Sequence, residues 1–216
     1  MPRDGSVSGM APLPKALLWQ RTDTAGTDLA LVDDRRGLYA RGVATAADPI
    51  PYVCRYELAT DETWATAHLD VSVEGAGWLR TLRLERAAGR WRATTAEQGD
   101  LDRALANAGH ARTSLPGTEE PDRLHDAIDI DLAGAPLPNT LPIRRLSMVG
   151  APAGTAHRLT MAWVLVPSLE VLPSEQTYRV VDEGTIRFDI EGFGADLTID
   201  KEGYVVRYPG LADRKA

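Results

Sequence analysis

The chain is 216 residues long, 44% hydrophobic and 25% charged, proportions that exclude the low-hydrophobicity, high-charge signature of disorder and allow a sizeable core. Its 24 Lys and Arg against 31 Asp and Glu give a net charge of −7 without any basic run, which argues against a nucleic-acid partner, since such binding rests on a clustered basic face. No stretch approaches the roughly 18 apolar residues that span a bilayer, and residues 1–16 lack the continuous apolar run of a signal peptide, so the expectation is a cytoplasmic protein and not an integral membrane one.

One β domain is expected over residues 17–210, between an N-terminal tail at 1–16 and a C-terminal tail at 211–216. The dominant periodicity is two, clearest in His68-Leu69-Asp70-Val71-Ser72-Val73-Glu74, which puts apolar side chains on one face of a strand and polar ones on the other. Comparable runs are Leu17–Arg21, Asp28–Val32, Leu38–Ala44, Tyr52–Leu58, Trp78–Arg86, Ile128–Leu132, Leu159–Val166, Tyr178–Val181, Thr185–Ile190, Ala195–Ile199 and Tyr204–Tyr208. Short gaps carrying Gly37, Gly89, Gly184 and Gly203 make neighbouring strands antiparallel, because a parallel pair needs a long crossover. Residues 159–166 are apolar on both alternating faces, so that strand is expected centrally in the sheet.

One segment departs from this period. Leu101, Ala104, Leu105 and Ala108 recur at helical spacing behind Asp100, a suitable N-cap, and predict one short helix inside an insertion at 95–126 whose remainder reads as an exposed loop. The lone Cys54 lies in a strand-like run and is expected to pack as a small hydrophobe. The same holds for most of Trp19, Trp64, Trp78, Trp91 and Trp163, although an indole facing a cleft can stack on a sugar or an acyl chain.

The densest chemistry lies at Ile128-Asp129-Ile130-Asp131-Leu132 and the following Asn139 to Leu146. Asp129 and Asp131 share one face of the strand, and two carboxylates there repel unless donors meet them. Arg144 and Arg145 are the nearest donors, with a planar fork that matches a carboxylate. Either the pairing locks a proline-rich turn, or one arginine joins Asn139 in holding the polar head of a ligand. Gln176 and Tyr178 stand beside the Pro167–Pro173 segment and can line a cavity mouth. His68, His110, His125 and His157 show no metal-ligand spacing and the single Cys excludes a Cys-based zinc site, so neither metal nor cofactor is expected. There is no Gly-x-Ser-x-Gly elbow, P-loop or dinucleotide fingerprint.

The Asp-x-Asp strand, the string Asn139-Thr140-Leu141-Pro142-Ile143-Arg144-Arg145, Ala162-Trp163-Val164, Gln176-Thr177-Tyr178 and Tyr208-Pro209-Gly210, together with the upstream Trp19-Gln20-Arg21 and Trp64, resemble the putative glycolipid-binding family, long known only as a domain of unknown function. The resemblance covers about residues 17–210. It implies a mainly β protein with a large antiparallel sheet curved into a cup or half-barrel, similar in shape to lipoprotein-carrier proteins, and a glycolipid or other amphiphile as ligand. Two departures stand out: Ala127 where the family typically has Cys, and a longer 95–126 segment. The expected ligand contacts are thus Asp129, Asp131, Asn139, Arg144, Arg145, Gln176, Tyr178 and Trp64. A scaffold or oligomerisation module is the alternative, followed by an enzyme with Asp129 or Asp131 as general base.

Overall fold

The structure, a computed structural model, describes residues 15–113 and 121–215. Fourteen strands form one sheet: β1 (Lys15–Arg21), β2 (Gly26–Asp33), β3 (Tyr39–Ala46), β4 (Tyr52–Thr60), β5 (Thr66–Gly75), β6 (Trp78–Ala87), β7 (Arg90–Gly99), β8 (Asp129–Leu132), β9 (Ala156–Val164), β10 (Val171–Asp182), β11 (Thr185–Ile190), β12 (Phe193–Ile199), β13 (Val205–Tyr208) and β14 (Ala212–Lys215). The helices are α1 (Leu101–Asn107) and α2 (Thr140–Arg145), and no helix of the described residues is long and apolar enough to cross a membrane.

The spatial order is β7-β6-β5-β4-β3-β2-β1-β14-β13-β12-β11-β10-β9-β8. Two antiparallel meanders therefore share a seam, where β1 pairs with β14 through Leu18–Arg21 and Ala212–Lys215. The chain runs outward from β1 to β7, crosses to the opposite edge at β8, and returns inward to β14. The sheet is curved and stays unclosed, as the mainly β cup expected from the sequence requires. Its two ends nevertheless touch: the Trp91 indole on β7 donates to the Ala127 carbonyl at 2.9 Å, and the Ile130 amide on β8 donates to the Thr66 hydroxyl at 3.3 Å.

Inside the curve, α1 and α2 supply what a single sheet lacks, a second layer for its apolar face. Asp100 caps α1 by accepting from the Arg103 amide at 2.8 Å, and Leu101 and Leu105 point into the core. The Pro-rich segment, expected as a turn, is the helix α2, preceded by a 3-10 turn at Leu137–Asn139. Pro142 is tolerated because it lies in the first turn, where amides have no intrahelical partner. Leu137 and Leu141 pack with Trp19, Tyr56 and Leu69, whereas Ile143 joins a second cluster with Tyr178, Phe188 and Val205. This short helix thereby plugs both halves of the sheet.

Four expectations need correction. Residues 212–215, taken as a tail, are β14; the open backbone edges of β1 and β13 give that polar segment its partners. Residues 90–99, not expected as a strand, form β7, an edge strand in which only Trp91 is buried, so no alternation marked it. The strand β9 lies one place from the sheet's edge, not centrally, with β8 outside it in parallel; Met161, Ala162 and Val164 are buried, while Leu159 and Trp163 stay half-buried. Finally, β10 begins at Val171 and contains Pro173, permitted because β11 pairs only from Thr177 onward and leaves that proline one neighbour. The expected tail at 1–14 and the loop positions 114–120 lie outside the described residues; Lys15 and Ala16 already belong to β1.

Candidate functional site

The eight residues expected to meet a ligand come together on the inner side of the sheet, and they meet one another. Asp129, fully buried, receives Nε and Nη2 of Arg145 at 3.0 and 2.7 Å on one oxygen, a charge-assisted fork. Burial raises the Asp129 carboxyl, Arg145 pulls it back, and the net direction is upward. Arg144 turns the other way, donating to the Glu202 carbonyl at 2.7 Å and lying 4.4 Å from the ring of Trp64, a cation–π distance. Trp64 is itself buried, at a positive φ of 71° in the turn between β4 and β5.

The second aspartate is held differently. Asp131 accepts from Gln176 Nε2 at 2.8 Å, and with no cation beside it burial pushes its carboxyl up to about 6. Beyond it the Tyr178 hydroxyl lies 3.0 Å from both Asn139 Oδ1 and Gln176 Oε1, sharing its one proton between them, and Asn139 Nδ2 donates to the Pro136 carbonyl at 3.3 Å. Burial first, and then the nearby Asp131 charge, hold the Tyr178 hydroxyl well above its ordinary value. Each of the eight side chains is thus engaged by the protein itself. What this arrangement does is tie β8, β10 and α2 together.

The open chemistry lies on the opposite face. Along β2 to β7 the residues that alternate with the core line a groove of about 730 Å³, and none of the eight belongs to its walls. Its floor changes character across the strands. On β2 and β3 it is lined by Leu29, Leu31 and Val43 beside Arg41, and Leu18 on β1 and Tyr39 on β3 extend the same face beyond the groove; these five large apolar groups are each about 40% exposed, which is uncommon on one face. On β4 to β7 the outward side chains include Arg55, Glu57, Asp70, Ser72, Thr81, Arg83 and Thr94. Cross-strand register builds the gradient, since Leu29 faces Val43, Val43 faces Arg55, Arg55 faces Ser72 and Ser72 faces Thr81.

One glycine holds this floor flat from beneath. A Cβ on Gly42 would sit 1.9 Å from the Tyr56 ring, which lies across that position on the buried face and brings its hydroxyl to Asp28, donating at 3.1 Å. Asp28 is fully buried, and desolvation pushes its carboxyl up to about 7, while burial pushes the neighbouring Cys54 thiol up to about 12. Cys54 is therefore an inert core residue, as expected of it.

Sequence reasoning had β2 to β6 of the groove and their outward residues, but not β7, and gave them no role, because half-exposed alternation reads as an ordinary solvated face. The available signal was a set of large apolar side chains, Leu18, Leu29, Leu31 and Val43, on what the period marks as the outer face.

A family model described as "Putative glycolipid-binding" matches residues 16–214, nearly the whole chain. The chain belongs to that family. Among solved structures it is similar to a DUF1089 family protein from Pseudomonas aeruginosa, with 23% sequence identity, a TM-score of 0.66 and coverage of 99% of this chain and 100% of the other. That likeness is one of fold. No curated protein matches the chain.

Proposed function

We propose that this protein binds an amphiphile with a hydroxylated, sugar-like head in the outer groove of β2 to β7. The observation that carries the reading is the gradient along the groove floor. An acyl tail would cover Leu18, Leu29, Leu31 and Val43, and removing apolar area from water contributes about 25 cal/mol per Å² covered. A polyhydroxylated head would lie over Arg55, Glu57, Asp70, Ser72 and Thr81, where charged acceptors and donors alternate. A concave site that is largely apolar with a few convergent polar groups is what such ligands need, and the volume lies within the usual range for small-molecule pockets. The family description points to the same ligand class.

This places the ligand on the face opposite to Asp129, Arg145 and their neighbours. It also gives no role to Asp129 or Asp131 as a general base, since neither lines the groove.

Native mass spectrometry of the protein from its own host, followed by solvent extraction, tests the proposal. The expected result is a monomer carrying one amphiphile, lost in a Leu29→Asp, Leu31→Asp variant and retained in Arg144→Ala. An apo dimer that becomes monomeric in the same double variant would overturn it, assigning the apolar patch to self-association.

A further inference from the structure

At the polar half of the groove, three side chains converge in a way that amphiphile binding does not require. Glu57 on β4 stands directly opposite Asp70 on β5, and His68 lies two residues before Asp70 on the same face. One ligand atom from each, a carboxylate oxygen of Glu57 and of Asp70 and a ring nitrogen of His68, all lie within 4.8 Å of one another. Like charges set opposite across a ladder repel. The groups around them relieve this weakly: Arg83, opposite Asp70 on β6, places Nη2 2.9 Å from Glu85 and leaves Nε 3.7 Å from Asp70, while His68 Nε2 stays 3.7 Å from Glu57. Arg41 faces Glu57 from β3, and Glu85 faces His68 from β6.

We propose that Glu57, His68 and Asp70 form a divalent transition-metal site, with zinc the best-matched ion, whose open positions face the groove. One imidazole nitrogen and two carboxylate oxygens suit zinc and its neighbours, whereas calcium and magnesium favour all-oxygen sets. Three protein ligands leave at least one position for water or a bound hydroxyl, the arrangement of open zinc sites. Donors about 2 Å from a zinc ion stand roughly 3–3.5 Å apart, so small side-chain rotations close the present spacing. Ala59, the residue opposite His68, has a small side chain and adds little bulk beside the ring. No sequence motif announces the site, because its ligands come from two strands.

Calorimetric titration of untagged, metal-free protein with Zn²⁺, and of the same protein with Co²⁺ followed by visible absorption, tests this without any amphiphile present. The outcome is therefore separable from that of the mass spectrometry. One ion per chain is expected, bound at least about tenfold more weakly by His68→Ala and by Glu57→Gln, and unchanged by His125→Ala, a histidine whose neighbour is Asp126 at 3.1 Å. Absence of stoichiometric uptake would overturn the assignment. So would uptake that survives His68→Ala.

Discussion

The inner and outer faces of the sheet have opposite fates. On the inner face buried carboxylates find partners within the protein: Asp129 with Arg145 and Asp131 with Gln176 at the β8–β10 end, Asp28 with Tyr56 in the β2–β7 half. On the outer face large apolar side chains stay exposed beside half-exposed charges, among them Glu57 and Asp70, whose nearest partners His68 and Arg83 stand 3.7 Å away. A buried unmatched charge costs several kcal/mol, whereas an exposed one costs little, so the inner face is fixed by folding and the outer face is left available for binding. Polar density in the sequence marks the first and misses the second.

Substitutions should separate the faces by size of effect. The largest loss is expected for Arg145→Ala, which strands the fully buried Asp129 carboxylate; a destabilisation of about 3–5 kcal/mol should appear in urea unfolding. Next comes a pH effect. Asp28 has its folded pKa raised to about 7 against an unfolded value near 3.9, so the folded state binds its proton more tightly. That contribution to stability is complete below about pH 4 and is lost as pH rises through 7, at a slope of at most about 1.4 kcal/mol per pH unit. Asp28→Asn, which keeps an acceptor for Tyr56, should therefore gain on the wild type steadily between pH 5 and pH 8 in the same unfolding assay.

A smaller loss is expected for Gly42→Ala. The added methyl must push the Tyr56 ring away from Asp28, and overpacking of this kind costs about 1–3 kcal/mol, read as a lowered unfolding midpoint. Least of all should be the stability change of the groove variant Leu31→Ser, within about 0.5 kcal/mol, because Leu31 is 46% exposed. Its deficit should appear instead in binding of an alkyl glycoside, measured by calorimetry.

The sequence carried most of the strands because strict alternation survives wherever one face is buried and the other wet, as in His68–Glu74. It hid β7 and β14, whose pairing comes from backbone edges and not from apolar side chains. It hid α2 because three prolines in Ala135–Pro142 read as a turn, although two precede the helix and the third falls in its first turn. The pairing of an arginine with the Asp-x-Asp strand was legible from charge alone, but which arginine was not: α2 turns Arg145 to Asp129 and Arg144 to Trp64. The groove and the Glu57–His68–Asp70 cluster depend on register between strands, which no stretch of sequence displays.

The most direct test of the outer-face assignment is a titration of ¹⁵N-labelled protein with a long-chain alkyl glycoside below its micelle concentration, followed by amide chemical shifts. Shifts confined to Leu29, Leu31, Val43, Arg55, Asp70 and their strand neighbours, with Ile130, Asn139, Gln176 and Tyr178 unmoved, are the result the structure predicts. Shifts centred on Asp129 to Asp131, Asn139 and Tyr178 would contradict it and return the ligand to the interior.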